Sequence, residues 1–175
     1  MLQMQLKNLN NVPKPPELPS GYLIRTYLNG DESDWVRIIN ESFGKSYEPP
    51  EITIKNIITA PDFDIQSLFF ITYNDYPVGT FCAVTLLVGW MKIGFIHMVA
   101  VSPEHRGKRL GLTLTYASLQ YFKKKGIKQV ILYTDDSRIQ AINIYRKLGF
   151  KPLDIEPDHK ERWEKIFKKE YSQTS

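Results

Sequence analysis

Apolar and polar positions change their period about halfway along the chain, from strand-like alternation to helical stripes interleaved with strands. GYLIRTYL at 21–28 alternates as a half-buried strand does. Trp35, Val36, Ile38, Ile39 and Phe43 recur at helical spacing, with Asp31 or Ser33 as cap and Gly44 as stop. A second short helix is expected after Pro50. SLFFITYN at 67–74 and VGTFCAVTLL at 78–87 flank a turn at Asn74, Asp75, Tyr76 and Pro77, which predicts a hairpin, and KIGFIHMVAV at 92–101 predicts a further strand. Then the pattern alternates. A helix is predicted over 110–125, closed by Gly126, followed by the strand QVILYT at 129–134. SRIQAINIYRKLGF at 137–150 places Ala141, Ile142, Tyr145 and Leu148 on one apolar face and stops at Gly149. The tail from Pro157 sets Trp163, Ile166 and Phe167 at helical spacing among charges. Consecutive strands followed by strand-helix-strand-helix predict an α/β (α+β) fold, a mixed and mostly antiparallel sheet flanked by helices. Residues 1–20, with Pro13, Pro15, Pro16 and Pro19, read as an extended arm outside the core, leaving 21–175 as a single domain.

Composition narrows the class. Of 175 residues, 42% are hydrophobic and 24% charged, which excludes wholesale disorder and fibrous repeats. Cys82 is the single cysteine, so no internal disulfide forms, and His97, His105 and His159 lack zinc-ligand spacing. A reducing compartment and no structural metal are expected. The apolar stretch from Gly79 to Val101 is broken by Lys92 after about 13 residues, short of the roughly 20 that a bilayer requires, and its glycines punctuate it like strands. The N-terminus lacks a secretory apolar core, so the expected location is cytoplasmic, with no membrane partner.

Charge is unevenly placed. Residues 1–88 hold 6 basic and 10 acidic residues, the remainder 17 and 9, so the net charge runs from −4 to +8. An anionic ligand would be met by the C-terminal half, although Lys123, Lys124, Lys125, Lys128, Lys168 and Lys169 also read as solvated helix ends. Nucleic acid is disfavoured as a partner, because aromatic residues are not interleaved with basic ones on a predicted face.

The segment V99-A-V-S-P-E-H-R-G-K-R-L-G-L-T113 carries the chemistry. A buried strand breaks at Pro103, passes through a basic loop containing Gly107, and opens a helix near Leu110. First-turn amides lack intrahelical partners and carry the positive end of the dipole, a ready anion site. Neither GxGxxG nor a P-loop is present, so spacing alone assigns no ligand.

VAVSPEHRGKRLG, followed after one strand by AINIYRKLGF at 141–150, resembles the GNAT superfamily of acyl-CoA N-acyltransferases. The likeness covers about residues 21–153, most strongly 94–153. It implies the GNAT fold and acetyl-CoA as cosubstrate. The backbone of Arg106, Gly107, Lys108, Arg109, Leu110, Gly111 and Leu112 would hold its pyrophosphate, and the edge at Val99, Ala100 and Val101 its pantetheine arm. Two positions depart from the family pattern. A glycine is usual where Arg109 stands, and Asn is frequent where Arg138 stands, so Arg138 either contacts the cofactor or lies on the surface.

The resemblance also gives Tyr145 the role of general acid towards the departing thiolate, against its plain reading as one more residue of an apolar stripe. His97 shares strand parity with Val99 and Val101, which makes it a base or pocket residue, or else a satisfied core histidine. Glu41, Tyr133 and Asp135 are further base candidates, while Glu104 reads as a loop carboxylate. Cys82, in an apolar run, reads as a buried thiol rather than a nucleophile.

These features combine into an acetyl-CoA-dependent N-acetyltransferase in which a primary amine of a small molecule or peptide attacks directly in a ternary complex. No motif names the acceptor; the acidic first half favours a cation. GYLIRTYLNGDESDWVRIINESFG also resembles one domain of the mycothiol synthase family, over too short a stretch to assign a substrate. The alternatives are a catalytically silent acyl-CoA-binding or regulatory domain and, further off, a nucleic-acid-binding module. A homodimer is compatible with the sequence.

Overall fold

A computed structural model describes residues 1–10, 12, 14–44, 49–61 and 63–173; Pro13 and the Lys169 side chain lie outside the described residues. In chain order the elements are β1 (Leu2–Leu6), β2 (Tyr22–Thr26), α1 (Glu32–Phe43), α2 (Pro50–Ile58), β3 (Leu68–Tyr73), β4 (Tyr76–Val88), β5 (Met91–Val101), α3 (Leu110–Lys124), β6 (Val130–Thr134), α4 (Ile139–Lys147), β7 (Lys151–Leu153) and α5 (His159–Gln173). They build a 7-stranded sheet of order β2-β3-β4-β5-β6-β1-β7. Among the described residues only the β5–β6 pair is parallel.

The sheet has two covered faces because its strands alternate. On one, Trp35, Ile38 and Ile39 of α1 and Ile54 of α2 pack on Leu68, Phe70, Cys82 and Ala100. On the other, Leu110, Leu114, Leu119 and Phe122 of α3, Ile142 and Tyr145 of α4, and Trp163 and Ile166 of α5 pack on Phe81, Ile96, Val130, Leu132 and β1. Helix α3 lies close to the sheet at Gly94, where a Cβ would come within 2.8 Å of the Phe122 ring. The β3–β4 turn falls within the predicted 74–77 but is shorter: Asn74 and Asp75 alone form it, both with positive φ (48° and 66°) as a two-residue turn of type I′ requires, while Tyr76 and Pro77 already belong to β4. Asp31 stands at the N-cap of α1, but its carboxylate turns back to the Leu28 N–H and the Arg25 guanidinium instead of capping the helix.

Three features differ from the sequence reading. The expected arm over residues 1–20 begins instead with β1, inserted between β6 and β7, with Leu2 and Met4 fully buried. LQMQL carries strand alternation, and the prolines start only beyond it. The 3-residue strand β7 was not foreseen, being too short to show a period. Strand β5 contains a bulge: Cys82 pairs with His97 but Thr80 with Ala100, and Met98 takes φ 53°.

Where that bulge begins, β5 and β6 part. They pair only from Gly94 to Ile96 with Val130 to Leu132, while β5 continues to Val101 and β6 to Thr134. A cleft therefore opens in the sheet just before the loop that leads into α3. The apolar stretch 79–101 proves to be the β4–β5 hairpin, and no helix among the described residues is long and apolar enough to cross a membrane.

Candidate active site

The loop at the mouth of the cleft is organised around its amides. A single 3-10 turn at Pro103–His105 ends with the Arg106 N–H donating to the Pro103 carbonyl at 3.2 Å. The next intramolecular bond of this kind is Thr113 N–H to the Arg109 carbonyl at 3.0 Å. Between them, the N–H groups from Gly107 to Leu112 have no acceptor among the described residues, as expected where a loop enters a helix. Gly107 (φ 79°) and Arg109 (φ 60°) are both left-handed. That backbone explains why glycine suits position 109, where arginine bears a cost of about 1–2 kcal/mol. A Cβ at Gly111 would meet nothing within 4 Å, so the space over these amides is open.

Side chains add positive charge and two corrections to the predicted cradle. The Arg106 amide is already used, so it drops out of the donor set. Its guanidinium turns back to the Val101 carbonyl (Nε, 3.2 Å) and the Ser42 carbonyl (3.3 Å), tying the loop to the end of α1. Ser42 Oγ also donates to the Val101 carbonyl, at 3.1 Å. The second correction concerns Ala100. The Ser102 N–H bonds Val78 of β4, so by alternation Ala100 turns its own N–H and C=O to β4 as well. The backbone N–H and C=O groups of Val99 and Val101 face the cleft, and of these the Val101 carbonyl is engaged. Lys123 and Lys125 are exposed, as solvated helix-end residues are, and also bond the Asn10 carbonyl and the Asp64 carboxylate.

Tyr145 lies on the α3 side, 9% exposed, its ring 5.9 Å from that of Phe150. Burial pushes its phenol up to about 12, opposed by the nearby Arg138 charge. Its hydroxyl makes no hydrogen bond among the described residues. Arg138 stands at the N-cap of α4, 4.1 Å over the Phe43 ring and 3.6 Å from the Asp135 carboxylate. It thus spans the cleft mouth to the end of α1, and burial holds its guanidinium below the ordinary value.

His97 is not on the face predicted for it. The bulge at Met98 inserts one residue, so His97 shares a face with Cys82 and Ala100, while Val99 and Val101 pack on the α3 side. The parity argument fails for that reason. His97 instead lines a cavity of about 370 Å³ beneath α2, with Thr53, Asn56, Cys82, Thr85 and Tyr121. Phe95 touches both His97 (5.6 Å between ring centres) and Tyr133 (5.3 Å), so Tyr133 joins this face. A larger hollow of about 430 Å³ between the outer sides of α1 and α2 includes none of the predicted residues.

The other candidates are committed elsewhere. Glu41 accepts from Ser102 Oγ at 2.5 Å and pairs with Arg37 at 3.3 Å, holding α1 against the loop. Burial pushes the Cys82 thiol up to about 12, so it stays protonated and unreactive. Sequence reasoning missed Asp64 and Tyr121, which meet at the far end of the His97 cavity with the hydroxyl donating at 2.9 Å. Lys125, 2.7 Å from Asp64, holds its carboxyl below the usual range. No sequence signal marks this pair, whose members are 57 positions apart.

A mixed sheet that parts beside a run of unpartnered amides defines an acyl-CoA N-acyltransferase architecture. The acetyltransferase (GNAT) family profile matches residues 33–150. The chain belongs to that family, as the resemblance in its sequence implied. It is 33% identical over 154 residues to a mycothiol acetyltransferase of Thermobispora bispora, covering 77% of this chain and 48% of that protein. A mycothiol acetyltransferase of Nocardia farcinica is 30% identical over 166 residues, covering 87% and 53%. The chain thus spans about half the length of these relatives. Its fold matches a GCN5-related N-acetyltransferase from Sphaerobacter thermophilus (TM-score 0.69, 24% identity, 87% of this chain and 48% of that one). It also matches the NatC complex bound to Gag peptide and CoA (TM-score 0.68, 15% identity, 76% and 86%).

Proposed function

We propose that the protein transfers the acetyl group of acetyl-CoA to a primary amine of a small molecule or peptide. The run of unpartnered N–H groups from Gly107 to Leu112, open to solvent and bordered by Lys108 and Arg109, carries this reading. Such donors favour a pyrophosphate, and the parted strands beside them leave Val99 to pair with an extended arm. Acetyl-CoA supplies the activated acyl group. The Val99 region polarises the carbonyl oxygen through a backbone N–H, which supports direct attack by the amine. His97, directly or through water, takes the proton that the ammonium must lose before attack. Tyr145, whose raised pKa keeps it protonated, donates to the sulfur as negative charge develops there.

Acetyl-CoA consumption against a panel of amines and peptides, read as thiol release, tests this. Turnover with at least one amine is expected. Tight acetyl-CoA binding with no turnover on any acceptor leaves a silent binding domain. His97→Ala should change the pH profile of turnover more than the melting temperature; the reverse returns His97 to a core role.

A further inference from the structure

Strand β4 outruns its neighbour. The β3–β4 ladder ends at Leu68 and Cys82, but β4 continues to Val88, and the chain before Leu68 is a 3-10 turn. Gly94, opposite Thr85, sends its N–H away from β4 to the Gln129 carbonyl. Alternation therefore turns the N–H and C=O of Thr85, and with it those of Ala83 and Leu87, outward to the side that β3 has vacated. No strand pairs there among the described residues. The sequence AVTLLV over 83–88 contains no proline or charge of the kind that usually blunts an edge. Leu87 is 73% exposed, and Trp90 at the hairpin tip is fully so.

The inner end of this edge opens into the His97 cavity, which Ala83, Val84 and Thr85 line. A strand added beside β4 would lie about 10 Å from β5, two inter-strand spacings, a distance that about three extended residues cross. We infer that the acceptor is an extended peptide that pairs with the β4 edge from Thr85 to Val88 and passes its terminal amine through the His97 cavity. The unmet groups are backbone donors and acceptors, which a polypeptide backbone matches in kind and spacing. Leu87 and Val88 select apolar residues beyond about the third position. The assignment of the amine rests on the acyl-transfer reading; the docking edge does not.

The test compares an eight-residue peptide, apolar from its fourth position, with a three-residue peptide sharing its N-terminus, together with long copies N-methylated at alternate backbone nitrogens. The expected kcat/KM favours the long peptide at least tenfold. Leu87→Pro, which removes an outward N–H, should cut that ratio at least tenfold, and N-methylation should cut it in one alternate register only. Equal kcat/KM for both lengths, indifference to the N-methyl register, or acetylation of small amines but of no peptide overturns the inference. Turnover with no amine at all defeats the acyl-transfer reading instead. Direct titration of the long peptide and its N-methylated copies against the parent and Leu87→Pro then decides the edge, with register-insensitive or absent binding against it. A concentration-dependent dimer that Leu87→Pro dissociates, with peptide kinetics unchanged, gives the edge to a second copy and overturns the inference.

Discussion

Tyr145 concentrates the question of what a single residue does. Its place in the stripe with Ile142 is that of a core residue, and its low exposure agrees. Yet a core phenol normally finds a partner for its hydroxyl, and this one has none among the described residues. Tyr145→Phe deletes the donor and keeps the ring. Since no internal hydrogen bond is broken, the melting temperature should hold or rise slightly. The maximal rate should fall about 10²-fold, the usual worth of one acid-base group, with acetyl-CoA affinity changed much less. A parental rate under conditions where chemistry limits would make Tyr145 packing alone. Arg109 makes a related point, because its left-handed backbone is visible only in the fold, while the sequence shows merely an arginine where glycine is usual.

At the scale of elements, the N-terminus of α3 offers the cleanest separation of folding from binding. Gly111 is helical and an added Cβ there meets nothing within 4 Å, so Gly111→Leu should be tolerated by the fold and add up to about 1 kcal/mol of helix propensity. Its side chain would stand over the amides. Acetyl-CoA affinity should fall at least tenfold in a calorimetric titration while the unfolding midpoint holds or rises; unchanged affinity would misplace the cradle. This loop was legible in the sequence because its glycines, basic residues and helix start are contiguous. The bulge at Met98 was not, since FIHMVAV is apolar enough that one inserted residue leaves no mark on its alternation. Strand β1 was legible in LQMQL but masked by the prolines after it, and its partners lie more than a hundred residues away in β6 and β7. Met4→Ala tests that strand: fully buried within the sheet, it should lose about 2–5 kcal/mol in denaturant unfolding, whereas an arm outside the core would lose almost nothing.

Over the whole molecule, burial of weakly acidic groups sets the alkaline limit of stability. Burial is the first cause that pushes Cys82, Tyr27 and Tyr145 each up to about 12, from ordinary values of 9.0 for the thiol and 10.0 for the phenols. Between the unfolded and folded values the native state holds more protons than the unfolded chain, so stability is complete below about pH 9 and declines as the pH rises towards 12. The acid side runs the other way. Lys125 beside Asp64 and Arg162 beside Asp136 hold those carboxyls below 3.8, so their contribution is present above that value and is lost as the pH falls through the lowered ones. The thiol titrates first in the unfolded chain, which makes its part separable from that of the phenols. Urea midpoints measured from pH 8 to 11 should hold to about pH 9 and then fall progressively. In Cys82→Ala the curve should start lower, because a buried sulfur is lost, but stay flatter between pH 9 and 10. An unaltered slope in that interval would show that Cys82 ionises as readily in the native state as in the unfolded chain, restoring the nucleophile that its apolar surroundings argue against.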